Sequence, residues 1–174
     1  MVPIELAWFV VVLLFGLIGI VRGFLKELGV TTVLLAVLAS IAIAGSKVTP
    51  LVTKAAMKAA PSHAAELEML FWLGLIAVAA FISYHGQTLA FEGTPIKGSL
   101  GVFFNLGAGI VNGWLIAGSI WYYLDRLGYP FIHIRPEQLT ATARALLQIM
   151  PPRLLGPVPL VFLVAFLLLM RVIR

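Results

Sequence analysis

The feature that most constrains this chain is a series of apolar runs, each about the length needed to cross a bilayer and each closed by charged or helix-breaking residues. The runs cover 4–21, 28–44, 67–84 and 100–124, and a last one follows four prolines near the C-terminus. The first holds eighteen residues, which as a helix reach about 27 Å, close to the hydrocarbon thickness of a membrane. Only 11% of the residues are charged and 61% are hydrophobic, against roughly 25% charged in a soluble domain. Such a chain cannot cover itself with a water-compatible surface. The predicted fold class is therefore all-α: a membrane-embedded helical bundle of four to five spanning helices plus an interfacial amphipathic helix. The first run is expected to be a retained span rather than a cleaved leader, because more membrane sequence follows it.

The connections carry the remaining signals. Arg22 to Glu27 is too short for a domain, so the first two spans are expected to form a tight hairpin. Residues 46–66, with Lys47, Lys54, Lys58, Pro61, His63 and Glu66, read as a solvated or headgroup-level connection with room for a short interfacial helix. Glu68 and His85 are placed at the two interfaces of the third span, and 86–98 is a loop by its Gly and Pro content. Trp121, Tyr122 and Tyr123 before Asp125 and Arg126 resemble an aromatic belt. Over 136–150 the apolar residues Leu139, Ala143, Leu146, Leu147 and Met150 recur at helical spacing, predicting an amphipathic helix opened by Pro136. The segment 151–174 is expected to be a proline-broken fifth crossing, closed by Arg171 and Arg174, or else a half-inserted anchor. Basic residues fall on both sides of a five-helix arrangement and leave its orientation open.

Function classes are narrowed by what these runs contain. Zero cysteines remove disulfides, thiolate ligands and cysteine nucleophiles. The net charge of +5 is spread over the ends of the apolar runs, which points to anchoring at a membrane and not to nucleic acid. No ionisable residue falls at the centre of a proposed span, where carriers and intramembrane hydrolases place theirs. The histidines His63, His85 and His133 stand in separate connections without metal-ligand spacing. No catalytic, cofactor-binding or metal residue is predicted, and the chain is not expected to be an enzyme.

Two patterns remain. Gly101, Asn105, Gly109 and Gly113 are four residues apart and form one small-residue ridge on the fourth span, where backbones can approach closely and Asn105 can add an interhelical hydrogen bond. The ridge serves either packing against the first two spans or self-association. Gly19-Ile-Val-Arg-Gly-Phe-Leu25 is echoed by Gly109-Ile-Val-Asn-Gly-Trp-Leu115, with five of seven residues identical. The echo is either a chance product of a Gly, Ile and Val rich chain or the trace of an inverted repeat. Arg22 and Lys26, one helical turn apart and followed by Glu27, either contact an anionic headgroup or partner subunit or simply stop the first helix.

The stretch Gly19-Ile-Val-Arg-Gly-Phe-Leu-Lys-Glu-Leu28 after an N-terminal span resembles the signature of the colicin V production protein family (CvpA). Residues 100–104 and 113–117, running on to Leu124-Asp125, resemble that family's second glycine-rich helix, so the similarity covers roughly residues 4–150. The resemblance implies a membrane domain over 1–150, in a small multi-pass protein of the bacterial cytoplasmic membrane. It implies a role in envelope transport or secretion and no cofactor. By motif match, Arg22, Gly23, Lys26 and Glu27 are the family's turn, and Gly109 and Gly113 are its packing glycines; Gly19 and Gly23 are expected to pack helices together with the ridge. The sequence departs from the pattern at Asn112, at Lys97 and Gly98, and in its added C-terminal run. The partners implied are membrane lipids and either other membrane subunits or a second copy, with an accessory or assembly subunit of a larger complex as the other reading.

Overall fold

The computed structural model describes residues 3–173 apart from Gly86, Gln87, Thr88, Ala90 and His133, and of Pro136 the backbone alone. The interfacial placing expected for His133 and the closing role expected for Arg174 lie outside the described residues. The helices are α1 (Ile4–Arg22), α2 (Phe24–Ala59), α3 (Ala64–His85), α4 (Gly98–Arg126), α5 (Ala141–Leu147), α6 (Pro151–Leu154) and α7 (Pro157–Val172). In lipid every backbone N–H and C=O must be satisfied within the chain, so valine-rich and isoleucine-rich runs become helices whatever their intrinsic propensity. Four segments, containing α1 to α4, are long and apolar enough to cross a membrane. Their outward faces carry Leu6, Phe9, Leu13, Phe81 and Phe103, all exposed. The chain is thus a multi-pass helical membrane protein, apolar outside as well as in.

Four details differ from the sequence reading. The second span does not stop at Gly45: α2 continues through Gly45 and Pro50 to Ala59, 36 residues or about 54 Å. Most of 46–59 is therefore helix: Val48 to Ala59 is rich in helix formers, and α2 continues through Pro50 despite the lost bond and the ring's crowding of the carbonyl four residues back. The first two helices are not a tightly packed hairpin. A single residue, Gly23, joins them at φ 88°, and α1 lies chiefly along α4, while α2 packs on α3, α4 and α7.

The amphipathic segment is not one helix either. Pro136 opens a 3-10 turn that ends at Gln138, and α5 holds only seven residues. Thr140 starts α5, its hydroxyl accepting from the Ala143 N–H at 3.0 Å. The expected face is nevertheless the buried one: Leu139, Ala143, Leu147 and Met150 pack with Trp121 and Tyr129 beneath the start of α1. Finally, α7 begins at Pro157, with Pro159 inside its first turn, where the missing N–H has no helical partner to lose. Its 16 residues reach about 24 Å, less than the roughly 30 Å core.

The main core lies between α2, α3, α4 and α7. Val30, Leu34, Leu35 and Leu38 of α2 meet Trp72 and Ile76 of α3, Leu115, Ile116 and Tyr123 of α4, and Leu160 of α7. The Trp72 and Tyr123 rings stack with centroids 5.0 Å apart. Across the second cluster, Trp121 Nε1–H donates to the Tyr129 hydroxyl at 3.0 Å, and that hydroxyl donates to Asp125 at 3.3 Å. Burial raises the Tyr129 phenol above its ordinary pKa, the Trp121 hydrogen bond works against that rise, and the Asp125 carboxylate adds to it.

Candidate functional site

The site is built on the contact between α1 and α4. The two helices run antiparallel: Trp8 lies 6.1 Å from Trp121 at one end, and Gly19 meets Asn105 and Gly109 at the other. A methyl group on Gly19 would sit 2.8 Å from the Gly109 Cα as well as against the Asn105 carbonyl. One on Gly113 would sit 2.8 Å from the Phe15 Cβ and 2.9 Å from the Val12 Cα. Only glycine lets these backbones touch. The predicted ridge therefore divides. Gly109 and Gly113 face α1, Asn105 accepts from the Phe24 N–H at 2.8 Å and so caps α2 from a neighbouring helix, and Gly101 is pressed against the Ile96 carbonyl.

This close approach brings the first turn of α2 into the bundle. Glu27 is wholly buried, Arg22 is half-buried and Lys26 is exposed, so of the three turn residues only Lys26 faces fully outward. Arg22 Nε donates to Glu27 Oε1 at 2.8 Å. Glu27 Oε2 accepts from the Tyr84 hydroxyl at 2.9 Å and from Asn112 Nδ2 at 2.8 Å. Asn112 Nδ2 also lies 3.1 Å from the Glu27 carbonyl. The Thr31 hydroxyl, with one proton to give, stands 2.7 Å from Asn112 Oδ1 and 2.9 Å from that same carbonyl. Arg22 is held further by the Tyr84 carbonyl at 3.0 Å and by the Tyr84 ring, whose centroid is 4.8 Å from its guanidinium carbon.

Each spanning helix contributes to this cluster: Arg22 from α1, Glu27 and Thr31 from α2, Tyr84 from α3 and Asn112 from α4. Asn112 is the middle residue of α4, about 21 Å from either end. The carboxylate is thus enclosed on all sides by the bundle although it stands near the ends of α1, α2 and α3, in the first turn of its own helix, where the α2 dipole favours negative charge. Its two oxygens carry three donors, so the cost of removing the charge from water is offset in place. The sequence reading places Glu27 in a turn, and the structure places it in the first turn of α2 with its side chain wholly buried.

The echoed heptapeptides take a definite place here. Their first glycines, Gly19 and Gly109, touch each other across the antiparallel helix pair. Their fourth residues, Arg22 and Asn112, donate to opposite oxygens of the same Glu27 carboxylate. Tyr84 and Thr31 are site residues that sequence reading missed. The available signal was a polar side chain at the edge or inside an apolar run, and Thr31 stands one turn beyond Glu27.

Two further carboxylates are buried but single-partnered. Glu5 Oε1 accepts from Thr140 at 2.7 Å, and Glu68 Oε2 accepts from Thr53 at 2.7 Å. Glu68 lies between α2 and α3 because α2 runs past the expected boundary. His63 stands 3.5 Å from Glu66, and His85 stacks on Phe81. Among the described residues no three His, Asp or Glu side chains converge as a metal site would require. Fold and site together define a multi-pass helical membrane protein with one charged cluster at the crossing of its four main helices. Compared with known proteins, the chain matches no family model, no curated sequence and no solved structure.

Proposed function

We propose that the chain is a non-catalytic component of transport or secretion in the bacterial cytoplasmic membrane, with the Arg22 and Glu27 pair as its working site. One observation carries this reading: the charged pair and Asn112 lie where two similar heptapeptides meet, 109–115 within α4 and 19–25 across the Gly23 joint, with Gly19 of α1 touching Gly109 of the antiparallel α4. In transporters built from inverted repeats the site lies at the repeat interface, and ionisable groups buried among spanning helices mark ion or substrate paths. The likeness of residues 19–28 to the CvpA signature supports the same reading.

The test uses the chain's lack of cysteine. A single cysteine at Thr31 is expected to react slowly with a membrane-impermeant thiol reagent in inverted and right-side-out vesicles, and faster once Glu27→Gln loosens the cluster. Complete protection from both faces in both backgrounds would make the cluster a sealed brace and end the transport reading. In the other reading, an accessory subunit of a larger complex docks through a small-residue face and the added C-terminal helix; Gly19, Gly109 and Gly113 are occupied within the chain, whereas Phe162, Phe166 and Leu169 of α7 are exposed and remain as its surface. On the transport reading, mild purification is expected to yield the protein alone or as a small homo-oligomer; other subunits in fixed ratio would favour the accessory reading.

A further inference from the structure

A cleft of about 450 Å³ opens between α2, α4 and the α6–α7 segment, away from the Glu27 cluster. Its polar wall is made by Ser46 and Thr49 of α2 and by Tyr122, Tyr123 and Arg126 of α4. Its apolar wall is made by Leu38, Ile41, Leu155 and Leu160. The helical hydroxyls of Thr32, Ser40 and Ser83 each donate to the carbonyl four residues back, and those of Thr31 and Thr53 have that carbonyl or a side-chain oxygen within reach. The hydroxyls of Ser46 and Thr49, and those of both tyrosines, have no hydrogen-bond partner among the described residues. Arg126 has no ion pair there either. The cleft thus gathers a guanidinium and four hydroxyl donors without a carboxylate in its lining. Pro50, also in the lining, has no N–H, so the Ser46 carbonyl beside it loses its helical donor.

We propose that this cleft binds the phosphate headgroup of an anionic phospholipid. An excess of unpaired donors around one cation selects a phosphate diester. The source is lipid and not free phosphate on three grounds. Half of the lining is hydrocarbon, the charged pair Asp125 and Arg126 that closes α4 sets the polar wall at headgroup depth, and the volume matches ligand sites of roughly 300–1,000 Å³. Basic pockets between spanning helices are the usual places where anionic headgroups lodge. A glycerol hydroxyl of the headgroup can donate to the Ser46 carbonyl. The inference is independent of the transport reading.

Native mass spectrometry of the full chain, offered phosphatidylglycerol and phosphatidylcholine in equal amounts, tests it. Wild type is expected to retain phosphatidylglycerol about tenfold over phosphatidylcholine, and Arg126→Gln to bring that ratio close to one. Arg126 is exposed, so the variant is expected to fold; Thr49→Val, an isosteric loss of one donor, is expected to lower the ratio by a smaller factor. Lys54→Gln, an exposed cation outside the cleft, is expected to leave the ratio unchanged. An unchanged ratio in Arg126→Gln and Thr49→Val overturns the proposal. So does an equal fall in Lys54→Gln, which would indicate general surface charge. Displacement of the lipid by millimolar inorganic phosphate also overturns it in favour of a free-anion site.

Discussion

The Glu27 carboxylate shows how one side chain can depend on four helices. Removing it in Glu27→Ala leaves the Arg22 guanidinium, the Tyr84 hydroxyl and the Asn112 amide without their shared acceptor. Breaking a buried pair from one side costs roughly 3–5 kcal/mol, and the partial exposure of Arg22 puts the expected loss near the lower figure, about 3 kcal/mol. Glu27→Gln keeps an acceptor oxygen and the shape, so about half that loss is expected. Thermal melts of both variants in one detergent check the order; equal and negligible losses would mean the cluster contributes no stability. Of these residues, Arg22 and Glu27 were legible as polar groups beside an apolar run. Their partners were not, because Tyr84 stands at the edge of a span and a carboxylate's depth depends on how far its helix is drawn inward.

At the level of elements, α1 and α4 behave as one unit because their glycines remove everything between the two backbones. Gly109→Leu would force a branched side chain into the Phe15 and Gly16 backbone, and a loss of at least about 3 kcal/mol is expected. Gly107→Leu, where an added Cβ meets nothing within 4 Å, is expected to be neutral. If the two variants melt alike, the contact does not organise the bundle. The ridge was readable from the four-residue spacing, though its division into helix contact, cap and local turn was not. Helix existence was readable in the four long apolar runs, since span length and apolarity follow from bilayer thickness. Helix ends were misread where proline and glycine occurred. Pro50 sits inside α2 and Pro159 inside the first turn of α7, at positions whose cost depends on neighbours the sequence does not display.

For the whole molecule, the fold settles which basic residues share a side. The start of α1, the α2–α3 connection and the end of α4 lie together, gathering Lys54, Lys58, Arg126, Arg135 and Arg144, whereas Arg22, Lys26 and Lys97 lie at the opposite ends. The positive-inside rule makes a cytoplasmic position of the first group the expectation to test. A cysteine at Lys58 is expected to be labelled only after the cytoplasmic face is opened to the reagent; labelling of intact cells would invert the orientation. The single-residue link at Gly23 has a mechanical consequence. Arg22 and Glu27 sit on either side of it, so their 2.8 Å contact works as a latch across a joint. Swinging α2 away from the paired α1 and α4 must pull that latch apart, which makes the charge on Glu27 and the angle of the joint a single variable.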